Sequence, residues 1–239
     1  MIEPASSGSP GAPRARGPAI EGRSLHRFYR VGEEETLALR GVDIQVEPGE
    51  LVAVVGPSGS GKSTLLACLA GLDEPDGGSV AIVGRPISHR SERARARIRA
   101  RHVGMMFQSA NLVEHLTVEQ NVALVQHLSG VPDRAGRVGR VALLDSLGLS
   151  HLARRYPNRL SGGESSRAGL AVALANEPEV LLADEPTGEL DTDTEAQVLA
   201  LLRRTAQRGT AVLVASHSDA VAAAADRRIT IVDGQLVGS

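Results

Sequence analysis

The sequence predicts an α/β fold built on a mostly parallel sheet, because buried strands and helices alternate along the chain. Short apolar runs at residues 51–55, 180–183 and 211–215 are typical of buried strands. Helical patterns follow the first two runs, at residues 63–70 and from Thr192 onward. Parallel strands need long crossover connections, which are usually helices, so this alternation favours a parallel sheet. A helical stretch in the middle of the chain indicates a helical insert.

Further elements extend this pattern. Residues 80–83 predict a short strand, and alternating apolar residues predict strands before the first buried run: Leu37, Leu39, Val42, Ile44 and Val46. A hydroxyl residue followed three positions later by Glu or Gln has the capping-box spacing of a helix start. Three pairs have this spacing: Thr117 with Gln120, Ser161 with Glu164, and Thr192 with Glu195. We therefore expect helices to begin at these three places.

The composition indicates a globular chain without a strong charge preference. Of 239 residues, 42% are apolar and 23% are charged, with 26 basic residues against 28 acidic ones. A net charge of -2 gives no general attraction to nucleic acid, and a chain of this length can bury a sizeable core. A disordered chain or a nucleic-acid-coating protein is therefore excluded as the main interpretation, and we expect no nucleic-acid partner.

Cysteine usage and hydropathy indicate the compartment. Cys68 is the only cysteine, which excludes an intramolecular disulfide framework and a cysteine-built zinc site. On the helix after residue 62 it is expected to be a small buried apolar residue. No apolar run approaches the roughly 18–20 residues of a membrane-spanning helix, and the N-terminus lacks a signal-peptide core. We expect a cytoplasmic protein that needs another chain to span a membrane.

Two polar segments are predicted to have no binding role. Residues 1–22 are rich in Pro, Gly, Ser and Ala and cannot offset the entropy of ordering, so they predict a disordered tail before a single domain at 23–239. A polar helix at 91–101 could bind phosphate lipids or nucleic acid, but aromatic residues are not interleaved and the total charge is balanced. A solvated helix face is therefore favoured for its arginines: Arg90, Arg93, Arg95, Arg97, Arg99 and Arg101.

A glycine-rich loop connects the first buried strand to the next helix. Residues 56–63 match the phosphate-binding pattern G-x-x-x-x-G-K-[ST]. Its glycines let backbone N–H groups turn toward phosphate oxygens, and the helix start adds a favourable dipole. Lys62, the only lysine, can reach the β- and γ-phosphates, and the Ser63 hydroxyl can ligate Mg²⁺. The alternative, a plain glycine-rich turn, is a minor one in this context. The predicted nucleotide-binding residues are Gly56, Pro57, Ser58, Gly59, Ser60, Gly61, Lys62, Ser63 and Thr64.

Two acids, Asp184 and Glu185, follow the apolar run at 180–183. Charge at the end of a buried strand is costly unless a cation or water is bound there. Asp184 is expected to hold the Mg²⁺ shell through water, and Glu185 to position or deprotonate an attacking water. A solvated acid pair is the alternative. The guanine-reading motif N-K-x-D would need a lysine other than Lys62, so we expect ATP; the loop alone leaves a kinase open.

A second anion-binding helix start is predicted at Leu160, Ser161, Gly162, Gly163 and Glu164, where a serine and two glycines precede a capping acid. Two such sites in one chain indicate a shared site between two chains. The phosphate loop, Gln108, this segment, the Asp184–Glu185 pair, Asp191 and His217 follow one another along the chain. In this order they resemble the nucleotide-binding domain of ABC transporters, over residues 24–239.

The resemblance implies the ABC ATPase fold, in which a phosphate-loop NTPase core carries a small antiparallel β subdomain and a helical subdomain inserted at about 109–175. It implies ATP and Mg²⁺ at a site shared by two copies paired head to tail. The segment 160–164 of one copy would close on the γ-phosphate held by Lys62 of the other.

The resemblance also implies roles for four further residues. Gln108 would sense Mg²⁺ and the attacking water, and His217 would contact the γ-phosphate. Asp191 would cross the dimer interface. Tyr29 matches the aromatic residue that stacks on adenine, with a half-buried packing residue as the alternative.

The finer pattern around Pro48-Gly49-Glu50 and residues 183–188 is similar to the lipoprotein-releasing, macrolide-export and cell-division branch. It implies an ATP-hydrolysing subunit on the inner face of the cytoplasmic membrane that drives a separate permease with a large extracytoplasmic domain. The chain departs from the branch at Ser165, Ser166 and Val172, and Glu189 adds an acid.

A non-transport ABC ATPase is the alternative, either regulating cell-wall or cell-division machinery or acting on ribosomes or DNA. The ribosomal type carries two cassettes and the chromosomal type a long coiled coil. The length of this chain fits one cassette with a small helical insert, and it fits neither two cassettes nor a long coiled coil.

Overall fold

The computed structural model describes residues 17–31, 34–107, 112–129, 139–188 and 190–237. Its strands are β1 Ile20–Val31, β2 Glu34–Val46, β3 Leu51–Val55, β4 Gly77–Ile82, β5 Arg85–Pro86, β6 Val103–Met106, β7 Val180–Asp184, β8 Ala211–Ser216, β9 Arg227–Val232 and β10 Gln235–Leu236. Its α-helices are α1 Lys62–Leu69, α2 Glu92–His102, α3 Val118–Leu128, α4 Arg140–Ser146, α5 Gly162–Leu174, α6 Thr192–Gln207 and α7 Asp219–Ala224. Buried strands and helices therefore alternate as the sequence predicts.

A six-stranded sheet has the order β10-β9-β3-β8-β7-β6. Its strands β6, β7, β8, β3 and β9 run parallel, and β10 pairs antiparallel with β9. Val55 pairs with Ser216, and Asp184 pairs with Ala215, so the carboxyl ends of β3, β7 and β8 meet at one edge of the sheet. The prediction of an α/β fold with a mostly parallel sheet is confirmed.

A second sheet is antiparallel and has the order β2-β1-β4-β5, as the resemblance implies. Strand β1 begins at Ile20, so it includes residues 20–22, which the composition assigns to the tail. The physical reason is burial: Ala19 and Ile20 are almost fully inaccessible, and Ile20 pairs with both Val46 and Ile82. The rest of the predicted tail, residues 1–16, lies outside the described residues.

Two apolar layers cover the opposite faces of the large sheet. Successive strand residues point to opposite faces, so Ala53 of β3 packs in one layer and its neighbours Val52 and Val54 pack in the other. The first layer contains buried residues of α3, α5 and α6, and the second contains those of α1 and of the antiparallel sheet. Strands buried on both faces explain why the runs at 51–55, 180–183 and 211–215 are continuously apolar.

Helices α3, α4 and α5 lie between β6 and β7, in the region of the expected helical insert. The capping box at the start of α3 is confirmed: the Gln120 N–H donates to the Thr117 hydroxyl, and the Thr117 N–H donates to the Gln120 side chain. No helix within the described ranges is long and apolar enough to cross a membrane. Cys68 is buried in α1, and this burial raises the pKa of its thiol to about 12, as expected for a packing residue.

Helix α6 begins at Thr192, where the sequence places it, but its cap is Asp191 and it has no capping box between Thr192 and Glu195. Asp191 is the N-cap, and its Oδ1 accepts a hydrogen bond of 3.0 Å from the Thr194 N–H. Thr192 is already the first helical residue, because a preceding Asp is as good a cap as Thr and lies one position earlier. Glu195 instead accepts hydroxyl hydrogen bonds from Thr187 and Ser218.

Gly104 of β6 allows this strand to pack closely against α5. A Cβ at this position would overlap the carbonyl oxygen of Ala173. We expect Gly104→Ala to lower the free energy of unfolding by about 1–3 kcal/mol, the usual cost of overpacking, as measured by urea denaturation. The control is Gly77→Ala in β4, whose Cβ would meet His26 at an ordinary 3.5 Å; we expect a change within about 0.5 kcal/mol. An equal loss in the two variants would contradict the packing argument.

Candidate nucleotide-binding site

The glycine-rich loop joins the carboxyl end of β3 to the first turn of α1, in the centre of the parallel sheet. Gly61 precedes the helix with φ 104, a left-handed conformation that favours glycine, and a Cβ there would lie 2.5 Å from the Ala38 carbonyl oxygen. A Cβ on Gly56 would overlap the Ile231 carbonyl oxygen. Both glycines are therefore required by close backbone approach. The first amides of α1 have no acceptor inside the helix and are available for an anion.

Lys62 is held inside this loop. Its side chain is buried, and Nζ donates to the carbonyl oxygens of Gly56 at 2.8 Å and Pro57 at 3.0 Å. Ser60 is also buried, and its hydroxyl has no hydrogen-bond partner within the described ranges. A buried ammonium and a buried free hydroxyl at a helix start suit phosphate oxygens, which accept hydrogen bonds from both.

Acidic and hydroxyl groups come together where β7 and β8 end. Glu185 has φ 47 and accepts hydrogen bonds on both carboxylate oxygens: Ser216 Oγ lies 2.9 Å from Oε2, and His217 Nδ1 lies 2.9 Å from Oε1. Asp184 Oδ1 is buried and has no hydrogen-bond partner in the part of the chain that the structure describes. A carboxylate oxygen buried without a donor is a suitable ligand for a hydrated divalent cation.

A cavity of about 800 Å³ collects most of the predicted nucleotide-binding residues. Of the residues predicted from sequence, those that line it are Tyr29, Ser58, Gly59, Gly61, Lys62, Ser63, Thr64, Glu185 and His217. The residues that sequence reasoning missed are Thr36, Leu37, Ala38, Arg40, Asp233 and Gly234. They belong to β2 and to the turn between β9 and β10, and the Arg40 N–H donates to the Gly234 carbonyl at 2.8 Å. The only sequence signal for them was the Asp233-Gly234 turn.

Other residues predicted from sequence do not line this cavity. Gly56, Pro57, Ser60 and Asp184 lie within or beside the loop and strand end without lining the cavity. Segment 160–164 and Asp191 are also absent from the described lining. Gln108 lies outside the described residues, as does Glu189.

Tyr29 lies at the edge of the cavity and is fixed by a polar cluster. Its hydroxyl donates to Asp73 Oδ2 at 2.6 Å, and the Arg27 guanidinium carbon lies 4.8 Å from the ring centroid. Arg27 also pairs with Asp73 and Asp76. Burial, and then the hydrogen bond to Asp73, raise the pKa of the Tyr29 hydroxyl. The ring is thus both a packing residue and a residue of the cavity wall, and one of its faces is covered by Arg27.

The segment 160–164 starts helix α5. The predicted capping box is confirmed: the Glu164 N–H donates to Ser161 Oγ at 3.3 Å, and the Ser161 N–H donates to Glu164 Oε2 at 2.8 Å. The latter bond holds the pKa of Glu164 below its usual range. This contribution to stability is present above the ordinary carboxyl pKa and is lost as pH falls through the lowered value.

Two contacts connect the start of α5 to the loop and helix that follow β7. A Cβ on Gly163 would overlap the Thr194 side chain, whose hydroxyl donates to Asp191 Oδ2 at 2.7 Å. Ser166 Oγ donates to the Pro186 carbonyl at 2.9 Å. Ser166 is one of the residues at which the chain departs from the branch pattern. Its hydrogen bond to Pro186 shows that this residue makes a specific contact in the fold.

The comparisons with known proteins agree with this geometry. The family model described as ABC transporter matches residues 39–188, so the chain belongs to the ABC transporter family. Among curated relatives, it is 44% identical over 218 residues to an ABC transporter ATP-binding protein, YbbA, of Escherichia coli K12, covering 91% of this chain and 96% of the relative. It is 43% identical over 220 residues to the lipoprotein-releasing system ATP-binding protein LolD 2 of Caulobacter vibrioides, covering 92% and 96%.

A longer relative and a solved structure are also similar. The macrolide export ATP-binding/permease protein MacB of Hahella chejuensis is 41% identical over 92% of this chain, which spans 34% of that protein. The dimeric bacterial ABC transporter cassette MJ0796 has a TM-score of 0.84 and 34% identity, covering 92% of this chain and 97% of its own. The same cassette is known in a post-hydrolysis state bound to ADP and Pi. The predicted family, fold and ATP-hydrolysing class are confirmed.

We expect Lys62→Ala to abolish measurable ATP binding, because the loop would lose its only ammonium group. Lys62→Arg is also expected to bind poorly, since a planar guanidinium cannot replace a buried point charge held by two carbonyls. Binding is measured by titration with a fluorescent ATP analogue. Wild-type affinity in Lys62→Ala would show that the nucleotide binds elsewhere.

Proposed function

We propose that this chain is the ATP-hydrolysing subunit that drives a separate transmembrane permease, and that its ATP site is completed by a second copy. One observation carries the proposal: the cavity holds the phosphate loop, Glu185 and His217, whereas the helix start at 160–164 lies outside it. Each copy thus carries two halves of a phosphate-binding site at separate places. A complete site combines the phosphate loop of one copy with the helix start of the other. The dimeric state of the similar cassette MJ0796 supports this arrangement.

The phosphate loop binds the triphosphate of ATP. Backbone N–H groups of the loop and of the first turn of α1 donate to phosphate oxygens, and Lys62 leaves its two carbonyl partners for the β- and γ-phosphates. Tyr29 stacks on adenine with the ring face that Arg27 leaves open.

Mg²⁺ is the cofactor that the site is suited to hold. Ser63 would ligate it directly, Asp184 would hold it through water, and Gln108 would complete the set. The buried Asp184 Oδ1 without a donor supports this role. When bound there, Mg²⁺ would neutralise negative charge on the phosphates of ATP. Within the described residues, no group of three His, Cys, Asp or Glu side chains offers another metal site.

Glu185 positions the water that attacks the γ-phosphate. Ser216 and His217 hold its two carboxylate oxygens, so the side chain keeps one orientation before ATP binds. The His217 side chain is 69% exposed, and it faces the cavity from its rim. From there its imidazole can contact the γ-phosphate while Nδ1 remains on Glu185.

The second copy contributes the start of α5. Ser161 and Gly162 are exposed at the N-terminus of this 13-residue helix, where the helix dipole favours an anion. Asp191 caps the neighbouring helix α6, is exposed, and reaches the same interface. Closure on ATP therefore connects the γ-phosphate of one copy with the helical insert of the other.

The permease docks on the helical insert. Exposed apolar side chains occur there and just before it: Phe107, Leu128, Val141 and Tyr156. Similarity to LolD 2 and MacB supports a permease of the lipoprotein-releasing or macrolide-export type. The subunit then lies in the cytoplasm, peripherally on the inner face of the cytoplasmic membrane. We assign to it the single domain that the sequence predicts, with its start moved from residue 23 to Ile20, where β1 begins, and with the helical subdomain at about 109–175.

The partner is tested by affinity purification of tagged Glu185→Gln protein from its native membranes in the presence of ATP. We expect a permease with a large extracytoplasmic domain to remain bound. Recovery of ribosomes or DNA without a membrane protein would favour the non-transport alternative.

Glu185→Gln is expected to lower the rate of ATP hydrolysis by about 10²–10⁴-fold, because the amide cannot accept the proton of the attacking water. ATP binding is retained, and the ATP-bound protein accumulates as a dimer in light scattering. The matched control is Glu47→Gln, an exposed residue before the Pro48-Gly49 turn that does not line the cavity, and it should hydrolyse ATP at the wild-type rate. Wild-type hydrolysis by Glu185→Gln would remove this residue from the mechanism.

A further inference from the structure

Four arginines of helix α2 divide into two groups that the sequence does not distinguish. Arg95 and Arg99 are half-buried and paired: Arg95 contacts Glu74 at 2.6 Å and Glu92 at 2.8 Å, and Arg99 contacts Glu92 at 2.5 Å. Arg99 also donates to the Gly71 carbonyl. These two arginines attach α2 to the core, and their ion pairs occupy the neighbouring carboxylates. They are structural, so the favoured interpretation of one solvated face does not describe them.

A second set of basic residues meets at a cleft beside α2. Arg90, Arg97 and Arg101 of the α2 segment line it together with Arg85 of β5. The cleft has a volume of about 560 Å³, and its lining includes the small residues Gly84 and Ala94. All four arginines are exposed. Tertiary structure is needed to form this cluster, because β5 brings Arg85 to a helix that begins seven residues later.

The side chains that line this cleft carry positive charge only. Its described lining contains four arginines and His102 but no Asp or Glu. His102 of this lining is itself bound to a carboxylate, since its Nδ1 lies 3.0 Å from Glu179 Oε2. A whole chain with net charge -2 thus keeps a local excess of about four positive charges. Like charges gathered at one place repel one another, and a bound anion would relieve this repulsion.

We propose that this cleft, formed by Arg85, Arg90, Arg97 and Arg101, binds a phosphate-bearing anion. Guanidinium groups match phosphate oxygens in a planar, two-bond geometry, and four of them around one cleft suit a phosphate group. The described lining has no Phe, Tyr or Trp side chain on which a base could stack, which disfavours nucleic acid. The site is separate from the nucleotide cavity, with which it shares no lining residue.

Two sources offer this phosphate chemistry: the headgroup of an anionic membrane lipid, and a small soluble phosphate ester. The experiment uses vesicles with and without phosphatidylglycerol for the first source and glycerol 3-phosphate for the second. All measurements are made with ADP saturating the phosphate loop, so that the loop takes no part. Vesicle binding is followed by co-sedimentation and ester binding by calorimetry.

The test variant is Arg97→Gln/Arg101→Gln, and the matched control is Arg204→Gln/Arg208→Gln, which removes the same charge from exposed positions near the end of α6. A basic residue near an anionic surface contributes about 1 kcal/mol, or about fivefold, so we expect the test variant to bind anionic vesicles about 30-fold more weakly. The control should bind as the wild type does. A second test, Ala94→Glu, places an acid in the lining of the cleft and should also weaken binding.

Either of two results supports the proposal. Loss of binding to phosphatidylglycerol vesicles in both test variants identifies a lipid headgroup, and loss of glycerol 3-phosphate binding identifies a soluble ester. Unchanged ATP hydrolysis and an unchanged melting temperature show that the variants are folded. Equal binding by wild type, test variants and control to both probes would overturn the proposal, as would failure of the wild type to bind either phosphatidylglycerol vesicles or glycerol 3-phosphate.

Discussion

The parallel register of β3, β7 and β8 is the constraint on which the site depends. Because Val55 pairs with Ser216, and Asp184 with Ala215, the three strands end at the same level. The phosphate loop, the two acids and His217 therefore meet at one edge of the sheet, although more than a hundred residues separate the loop from the acids. Burial of these strands on both faces makes a shift in register costly, and so keeps the groups together.

Hydrogen bonds then fix the orientation of the groups that this register collects. Glu185 leaves β7 with a left-handed backbone, and Ser216 and His217 hold its two oxygens. Asp184, one residue earlier, keeps one buried oxygen without a donor. Adjacent acids thus acquire different environments from the same strand end: the first is left free for a cation, and the second is held for a water.

The start of α5 depends on its neighbours in a different way. Gly163 packs against Thr194, Thr194 holds Asp191, and Ser166 bonds to the Pro186 carbonyl next to Glu185. A movement of α5 would therefore be transmitted to the loop between β7 and α6. This physical connection supports the proposed link between closure of two copies and the chemistry at Glu185, and it places Ser166 within that link.

The sequence by itself determined the elements that depend on local spacing. The loop at 56–63, the acids after β7 and the capping boxes at Thr117 and Ser161 follow from residues near one another in the chain, where backbone geometry is local. The tertiary structure decided the contacts between distant segments: Asp73 on Tyr29, the approach of β2 to the cavity, and the division of α2 arginines into those paired with acids and those that line the cleft. The periodicity of the sequence predicts on which face of a helix or strand a residue lies. Only tertiary packing determines which residues from other segments contact that face.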